Sequence, residues 1–199
     1  KTVEQTDLFQ RLGLDAAKTT IVTFTSSYDE FRSNEMIVNV LGCEEHLNEQ
    51  PFIDQIDWLT QLTQYVESRD ELQLIVRIHP REGVNKRETR SSQHLEKLLK
   101  AFQRPFHSCR FVWPESDISS YDLGEIADLV LISWSTMGIE MARTGTPVLA
   151  INRGITYPGD LFVEWAATTE AYFEKLQQLL FGKPSLERTR LAYRYYNAF

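Results

Sequence analysis

Two short segments carry the side chains that could do chemistry, and both point to the handling of a phosphate. Residues 128–151 read Asp128-Leu-Val-Leu-Ile-Ser133-Trp-Ser135-Thr136-Met-Gly138-Ile-Glu140-Met-Ala-Arg-Thr-Gly145-Thr-Pro147-Val-Leu-Ala-Ile151. The apolar run from Leu129 to Ile132 fits a buried parallel strand. Ser-Trp-Ser-Thr follows, residue types that cap a helix and leave its first amides free. Gly145 closes that helix and Pro147 leads into the next strand. The unit is therefore strand, helix, strand, with hydroxyls at the turn. Free amides and hydroxyls at a helix N-terminus attract an anion. Glu140, one turn further on, could accept hydrogen bonds from ribose hydroxyls. Ser135 and Thr136 fit a plain helix cap equally well.

The second segment, residues 72–82, reads Leu-Gln-Leu-Ile-Val-Arg77-Ile-His79-Pro80-Arg81-Glu82. Proline cannot continue a central strand, so the strand stops at His-Pro. His79 and Arg81 then sit at its carboxyl end, where open α/β sheets bind their ligands. The fork of donors on arginine matches phosphate, and histidine can donate to a phosphate oxygen. A His-Pro pair alone is usually a turn. Its weight comes from the hydroxyl-rich turn downstream.

The elements that must position these groups follow from the patterning. Residues 20–25, Thr-Ile-Val-Thr-Phe-Thr, form a first strand, with Ser26 and Ser27 at its end. Further strands are expected at 72–78, 109–113, 129–132 and 147–151. Helices are expected at 52–68, 92–102, 121–127, 168–181 and 185–197, with a short one over 36–41 and a leading helix or linker over 1–18. Short connections between alternating strands and helices predict an α/β fold. Specifically, the expectation is a Rossmann-like three-layer sandwich with a mainly parallel sheet, in one domain spanning 1–199. Loops at the strand ends should bring His79, Ser135, Thr136 and Glu140 into one crevice, with Ser26 and Ser27, Trp113 and residues 152–157 on its walls. Asp29 and Glu30 read as helix caps or as acid–base groups. His46, His94 and His107 read as surface residues, Trp58 and Trp165 as packing residues, and Arg188, Arg190 and Arg194 as a solvated face or a domain contact.

The bulk properties remove several classes. The chain has 199 residues and a net charge of −7, which argues against nonspecific nucleic-acid binding. No apolar run approaches the roughly 18 residues of a membrane-spanning helix. Cys43 and Cys109 lack metal-ligand spacing, and a cytoplasmic setting is the default, with a peripheral position at the inner membrane compatible with it. There is no G-x-G-x-x-G after the first strand, no G-x-x-x-x-G-K-[ST] and no G-x-S-x-G. Lys1 reads as a boundary inside a longer protein.

Together these residues resemble the C-terminal, nucleotide-sugar-binding domain of a GT-B glycosyltransferase, of the kind found in bacterial capsular and surface polysaccharide biosynthesis proteins. The resemblance rests on Ile-Val-Arg-Ile-His79-Pro80-Arg81, on Ser119-Ser120-Tyr121-Asp122-Leu123, and most of all on 127–140 through Gly145-Thr-Pro147-Val. It covers about residues 20–160. It implies that His79 and the Ser135/Thr136 turn hold the phosphate of a nucleotide-activated sugar, CMP- or UDP-linked, with Arg81, Gly138 and Ser120 beside them. It implies that Glu140 binds ribose and that the backbone around Trp113 and Pro114 flanks the base. It implies no metal and no cofactor besides the donor substrate, because a helix N-terminus and basic side chains neutralise the leaving phosphate. It also implies an N-terminal domain, absent from this chain, that carries a polysaccharide acceptor and the catalytic base. Three alternatives share the scaffold: an epimerase-like enzyme, a transferase of glycerol phosphate from a CDP-linked donor, and a nonenzymatic binding domain.

Overall fold

The protein is described here by a computed structural model covering residues 4–41, 51–84, 86, 89–152 and 161–198. Five strands alternate with helices in the order α1 (Gln5–Leu12), β1 (Thr19–Phe24), α2 (Tyr28–Leu41), α3 (Gln55–Glu67), β2 (Leu72–Arg77), α4 (Gln93–Phe102), β3 (Cys109–Val112), α5 (Ser120–Glu125), β4 (Leu129–Ile132), α6 (Met137–Ala142), β5 (Val148–Ala150), α7 (Thr169–Phe181) and α8 (Leu186–Tyr196). A 3-10 turn, Pro80–Glu82, follows β2. All strand pairings are parallel, and the spatial order is β3-β2-β1-β4-β5. Direction reverses between β1 and β4: the chain winds outward through β2 and β3, then returns to the other side of β1. Such a switch point opens a crevice at the carboxyl ends of the strands.

The period-2 alternation of the strands builds two cores. Ile21, Leu74, Val76, Leu129, Leu131 and Leu149 face α3, α4 and α7, where Trp58, Leu62, Leu98 and Leu176 complete the layer. Val22, Phe24, Ile75, Val130, Ile132 and Val148 face the opposite way and meet Leu8, Leu123, Met141 and Ala192. A strand buried on both faces must be apolar throughout, which is why β4 is Leu-Val-Leu-Ile. The Trp58 indole N–H donates to the Tyr172 hydroxyl at 3.1 Å inside the first core, and burial pushes that phenol up. Trp58 is thus a packing residue whose polar atom is satisfied.

Two departures from the sequence expectation have clear causes. The helix expected over 36–41 begins eight residues earlier, at Tyr28. Its start, Tyr28-Asp29-Glu30-Phe31, does not continue the apolar spacing of 36–41, which hides it from an apolar-period reading, but Asp29 and Glu30 there suit a helix N-terminus. His94, expected at the surface, stacks on Tyr28 with ring centroids 5.4 Å apart, and burial lowers its pKa. His46, Cys43 and residues 153–157 lie outside the described residues. Cys109 is buried, and desolvation pushes its thiol up. Among the described residues no helix is long and apolar enough to cross a membrane.

Candidate functional site

The carboxyl end of β1 is the pivot. The Ser26 hydroxyl donates to the Trp134 carbonyl and accepts from the Trp134 N–H, both at 2.6 Å. One hydroxyl therefore pins the turn after β4 to the end of β1. On the other flank, the Thr25 hydroxyl accepts the backbone N–H of His79 at 2.9 Å, tying the His-Pro-Arg turn to the same strand end. Gln55, at the start of α3, clamps Ser26 from behind: its amide accepts from the Ser26 N–H at 3.0 Å and donates to the Ser26 carbonyl at 3.2 Å. Ser27 is buried beside it. The two segments singled out by sequence thus flank one strand, β1, about two strand spacings or ~10 Å apart. Neither lies on an edge strand.

His79 is held by its own turn. Its Nδ1 accepts the Arg81 backbone N–H at 3.2 Å. A neutral imidazole with Nδ1 as acceptor carries its proton on Nε2, so Nε2–H is the donor available to a ligand. Burial lowers the pKa of His79, the neighbouring Glu30 carboxylate opposes that shift, and Arg81 adds to it. Glu30 Oε2 stands 3.8 Å from Nε2. The Arg81 guanidinium spans two carboxylates from the first turn of α2, donating to Glu30 at 2.8 Å and to Asp29. Asp29 and Glu30 are thus ion-pair partners of Arg81 inside the helix, not caps outside it.

The turn after β4 is built differently from its expected form. Thr136 sits at the cap position with helical backbone angles and makes no side-chain cap bond. Ser135 does the capping, accepting the Met137 N–H at 3.3 Å. Thr136 is left exposed. Ser133, fully buried, has no hydrogen-bond partner for its hydroxyl among the described residues. A buried polar group without a partner is costly and calls for a reason.

Gly138 has a packing role. A Cβ there would stand 2.5 Å from Ile132 Cδ1 and 3.5 Å from Val148 Cγ1. Its missing side chain lets α6 settle on β4 and β5, which sets where the turn points. Glu140 faces α5: its carboxylate beside the Tyr121 hydroxyl holds that phenol above its usual range. Glu140 lines a hollow of about 350 Å³ with Tyr121, Gly124 and Arg143. Arg81 lines a different hollow, of about 330 Å³, with Tyr28, Asp29, Glu82 and Ser92. The structure therefore gathers Ser26, His79, Arg81 and the Ser135 turn around the end of β1, and sets Glu140 to one side, between α5 and α6.

Trp113, at the end of β3, stacks on Phe111 and lines a groove along the outer side of that edge strand. Its carbonyl accepts from Arg77 Nη1 at 2.7 Å. Ser120 is the first residue of α5, whose cap is Ser119. Sequence reasoning missed Gln55, Arg77 and Glu82. A charged residue closing an apolar strand, as Arg77 does, was a signal. Glu82 is 1% exposed and accepts from the Tyr28 N–H at 2.7 Å and from the Ser92 hydroxyl. Nothing in the local sequence separates it from the exposed charges that follow.

A parallel five-stranded sheet with a switch point beside β1 defines a Rossmann-like domain, and its neighbours among solved structures are GT-B proteins. A candidate UDP-N-acetylglucosamine 2-epimerase from Listeria monocytogenes superposes with a TM-score of 0.57 at 13% identity, over 96% of this chain and 43% of that one. The UDP-GlcNAc 2-epimerase from Neisseria meningitidis, bound to UDP-GlcNAc, gives 0.54 at 10%, over 98% and 48%. KpsC, a β-Kdo 2,4 transferase from Thermosulfurimonas dismutans, gives 0.50 at 16%, over 88% and 44%. No family model matches the chain, and no curated protein matches it in sequence. The chain thus has the fold of one GT-B domain, and it spans less than half the length of the structures it matches.

Proposed function

We propose that this chain is the donor-binding half of a glycosyltransferase that uses a nucleotide-activated sugar, CMP- or UDP-linked, in capsule or surface polysaccharide synthesis. The observation that carries the reading is the convergence on β1: Thr25 ties down the His79 turn and Ser26 ties down the Ser135 turn, at the switch point of the sheet. In this reading His79 Nε2–H and Arg81 face the phosphate, and the hydroxyls of Ser135 and Thr136 close the other side. Ser120 and Glu140 are assigned to the nucleoside in this reading, with the Glu140 carboxylate turning from Tyr121 to accept from ribose. In this reading these groups neutralise the leaving phosphate without a metal once the crevice is closed from water, since fixed donors in a dry site stabilise the charge that develops there.

The names of the neighbours support nucleotide-sugar chemistry at large: one is an epimerase bound to UDP-GlcNAc and another transfers Kdo. A second, acceptor-bearing domain completes the crevice, and closure of two domains supplies orientation and excludes water. An epimerase-like activity is the second reading, because epimerases share this architecture.

The test is a thermal-shift panel on the 199-residue chain with CMP, CDP, UDP and GDP, followed by transfer assays with the matching sugar donors. A ligand at 100 times its Kd adds about 2.7 kcal/mol. For a domain of this size that raises Tm by roughly 5–10 °C. One nucleotide should give this shift, with no sugar transfer by the chain alone. Turnover near 1 per second or faster, roughly an ordinary enzymatic rate, would show that no second domain is needed. No shift with any nucleotide would remove the donor-binding reading altogether.

A further inference from the structure

The first turn of α2 carries Asp29 and Glu30, and both are aimed at the groups assigned to the donor phosphate. Arg81 Nη1 donates to Glu30 Oε1 at 2.8 Å, and Nη2 donates to Asp29. The second Glu30 oxygen lies 3.8 Å from His79 Nε2. One carboxylate therefore spans the two donors that a phosphate would use. Arginine recognises phosphate and carboxylate through the same bidentate fork, so one excludes the other.

We propose that Asp29 and Glu30 form an internal plug of the anion site, which the donor phosphate must displace, so that donor binding is coupled to release of the first turn of α2. The inference rests on the donor-binding reading and adds the event that precedes binding. The plug is fit for displacement. Arg81, Asp29 and Glu30 side chains are 38%, 61% and 35% exposed. Ion pairs so exposed are weak and exchange readily. A buried pair in the same place would lock the site. Tyr28 at the start of the turn is held twice, by its N–H on Glu82 at 2.7 Å and by its ring on His94, so a released Asp29–Glu30 segment has a fixed pivot just before it. Without a ligand the plug satisfies Arg81. With one, the phosphate takes over the fork and repels both carboxylates.

A site that is competent only part of the time binds with its affinity reduced by the competent fraction. Removing the plug should therefore tighten binding. The expected gain for Asp29→Asn/Glu30→Gln is on the order of three- to tenfold in Kd, the scale of two exposed pairs. Calorimetry on the full chain with CMP, UDP and inorganic phosphate reads this directly. Glu96→Gln/Glu170→Gln is the control: it removes the same two charges from exposed helix positions elsewhere. His79→Asn reports on the donor-binding reading itself.

Tightening in the α2 variant, none in the control and weakening in His79→Asn is the expected result. Unchanged or weaker binding in the α2 variant, with His79→Asn still weakened, overturns the plug and leaves the donor reading intact. Equal tightening in the control also overturns the plug, because long-range charge would then explain the gain. Unchanged binding in His79→Asn overturns the donor reading and the plug with it. Amide hydrogen exchange gives a readout that charge alone would not move. Exchange of the α2 amides at 32–34, which bond back to the carbonyls of the first turn, should quicken on adding saturating nucleotide to the wild-type chain. Unchanged or slower exchange there overturns the coupling.

Discussion

His79 makes two separable contacts, so one substitution can remove the first and keep the second. Its Nδ1 accepts the Arg81 N–H at 3.2 Å and holds the His-Pro-Arg turn. Its Nε2–H is the donor proposed for the phosphate. Asparagine places an amide oxygen near the position of Nδ1 and can accept the same N–H two residues on, a common turn-forming contact. It offers little that reaches as far as Nε2. His79→Asn should therefore fold like the wild type and lose one charge-assisted hydrogen bond to the ligand. Such bonds contribute about 1.5–3 kcal/mol, so Kd should rise by roughly 10- to 150-fold. His79→Ala removes both contacts, leaving a turn N–H without its acceptor. It should lose a similar factor in affinity and also about 1 kcal/mol of stability.

The assay is calorimetry with a nucleotide sugar, whose phosphodiesters do not titrate between about pH 6 and 8, together with thermal melts of both variants. Because the neutral ring is already a donor, affinity should stay flat as pH falls from about 8 toward 6.5. Protonation would put a second proton on Nδ1, against the Arg81 N–H. Wild-type affinity in His79→Asn would refute the placement of the phosphate at Nε2. A steep rise in affinity between about pH 8 and 7 would refute the neutral-donor argument, since it would require an imidazolium.

Two further outcomes follow from the packing and the titration of the same region. Gly138→Ala should destabilise the protein by about 1–3 kcal/mol, because its Cβ would overlap Ile132 Cδ1. Ile132→Val removes that methyl, so the double variant should recover part of the loss in a denaturant-melt cycle, whereas strictly additive costs would show that α6 shifts instead. Burial lowers the pKa of both His79 and His94. Their unfolded forms then take up protons first as the pH drops below about 6.5. The stability they supply is complete above that value and is lost as pH falls through it, by at most about 1.4 kcal/mol per pH unit for each ring. Melts of wild type and His94→Asn from about pH 8 to 5 check this, and identical pH slopes would exclude His94.

The fold was legible because parallel strands buried on both faces cannot hide. Leu-Val-Leu-Ile and Leu-Gln-Leu-Ile-Val are nearly unbroken apolar runs, and Pro80, Pro114 and Pro147 mark where strands end or begin. The His79 and Ser135 segments were legible for the same reason: each follows a strand whose end could be read. What remained hidden was set by side-chain direction and by long-range contact. Glu140 lies in the first turn of α6, yet it faces Tyr121 on α5. The pairing of Arg81 with Asp29 and Glu30 joins residues more than 50 positions apart. Gln55 read as one more polar position in an amphipathic helix, although it holds the pivot serine on two sides. The start of α2 was missed because ion pairs to Arg81 and a buried acceptor, Glu82, hold its first turn, and both lie more than 50 positions along the chain.

The same scaffold serves epimerases and transferases, so the distinction between them does not lie in the sheet. It lies in what surrounds the phosphate once the leaving group departs. A transferase must let an acceptor reach the sugar, and an epimerase must keep water and acceptors out. Among the described residues at this sheet edge, Thr136 is exposed, and Arg81, Asp29 and Glu30 are all partly accessible to solvent. An exposed anion site needs a cover before its donors gain the strength that a dry environment gives them. Under the proposed donor-binding reading, the carboxylates on Arg81 make this site one that responds to a donor before any transfer, and a second domain of the kind proposed would close over His79 and Arg81 after Asp29 and Glu30 have left.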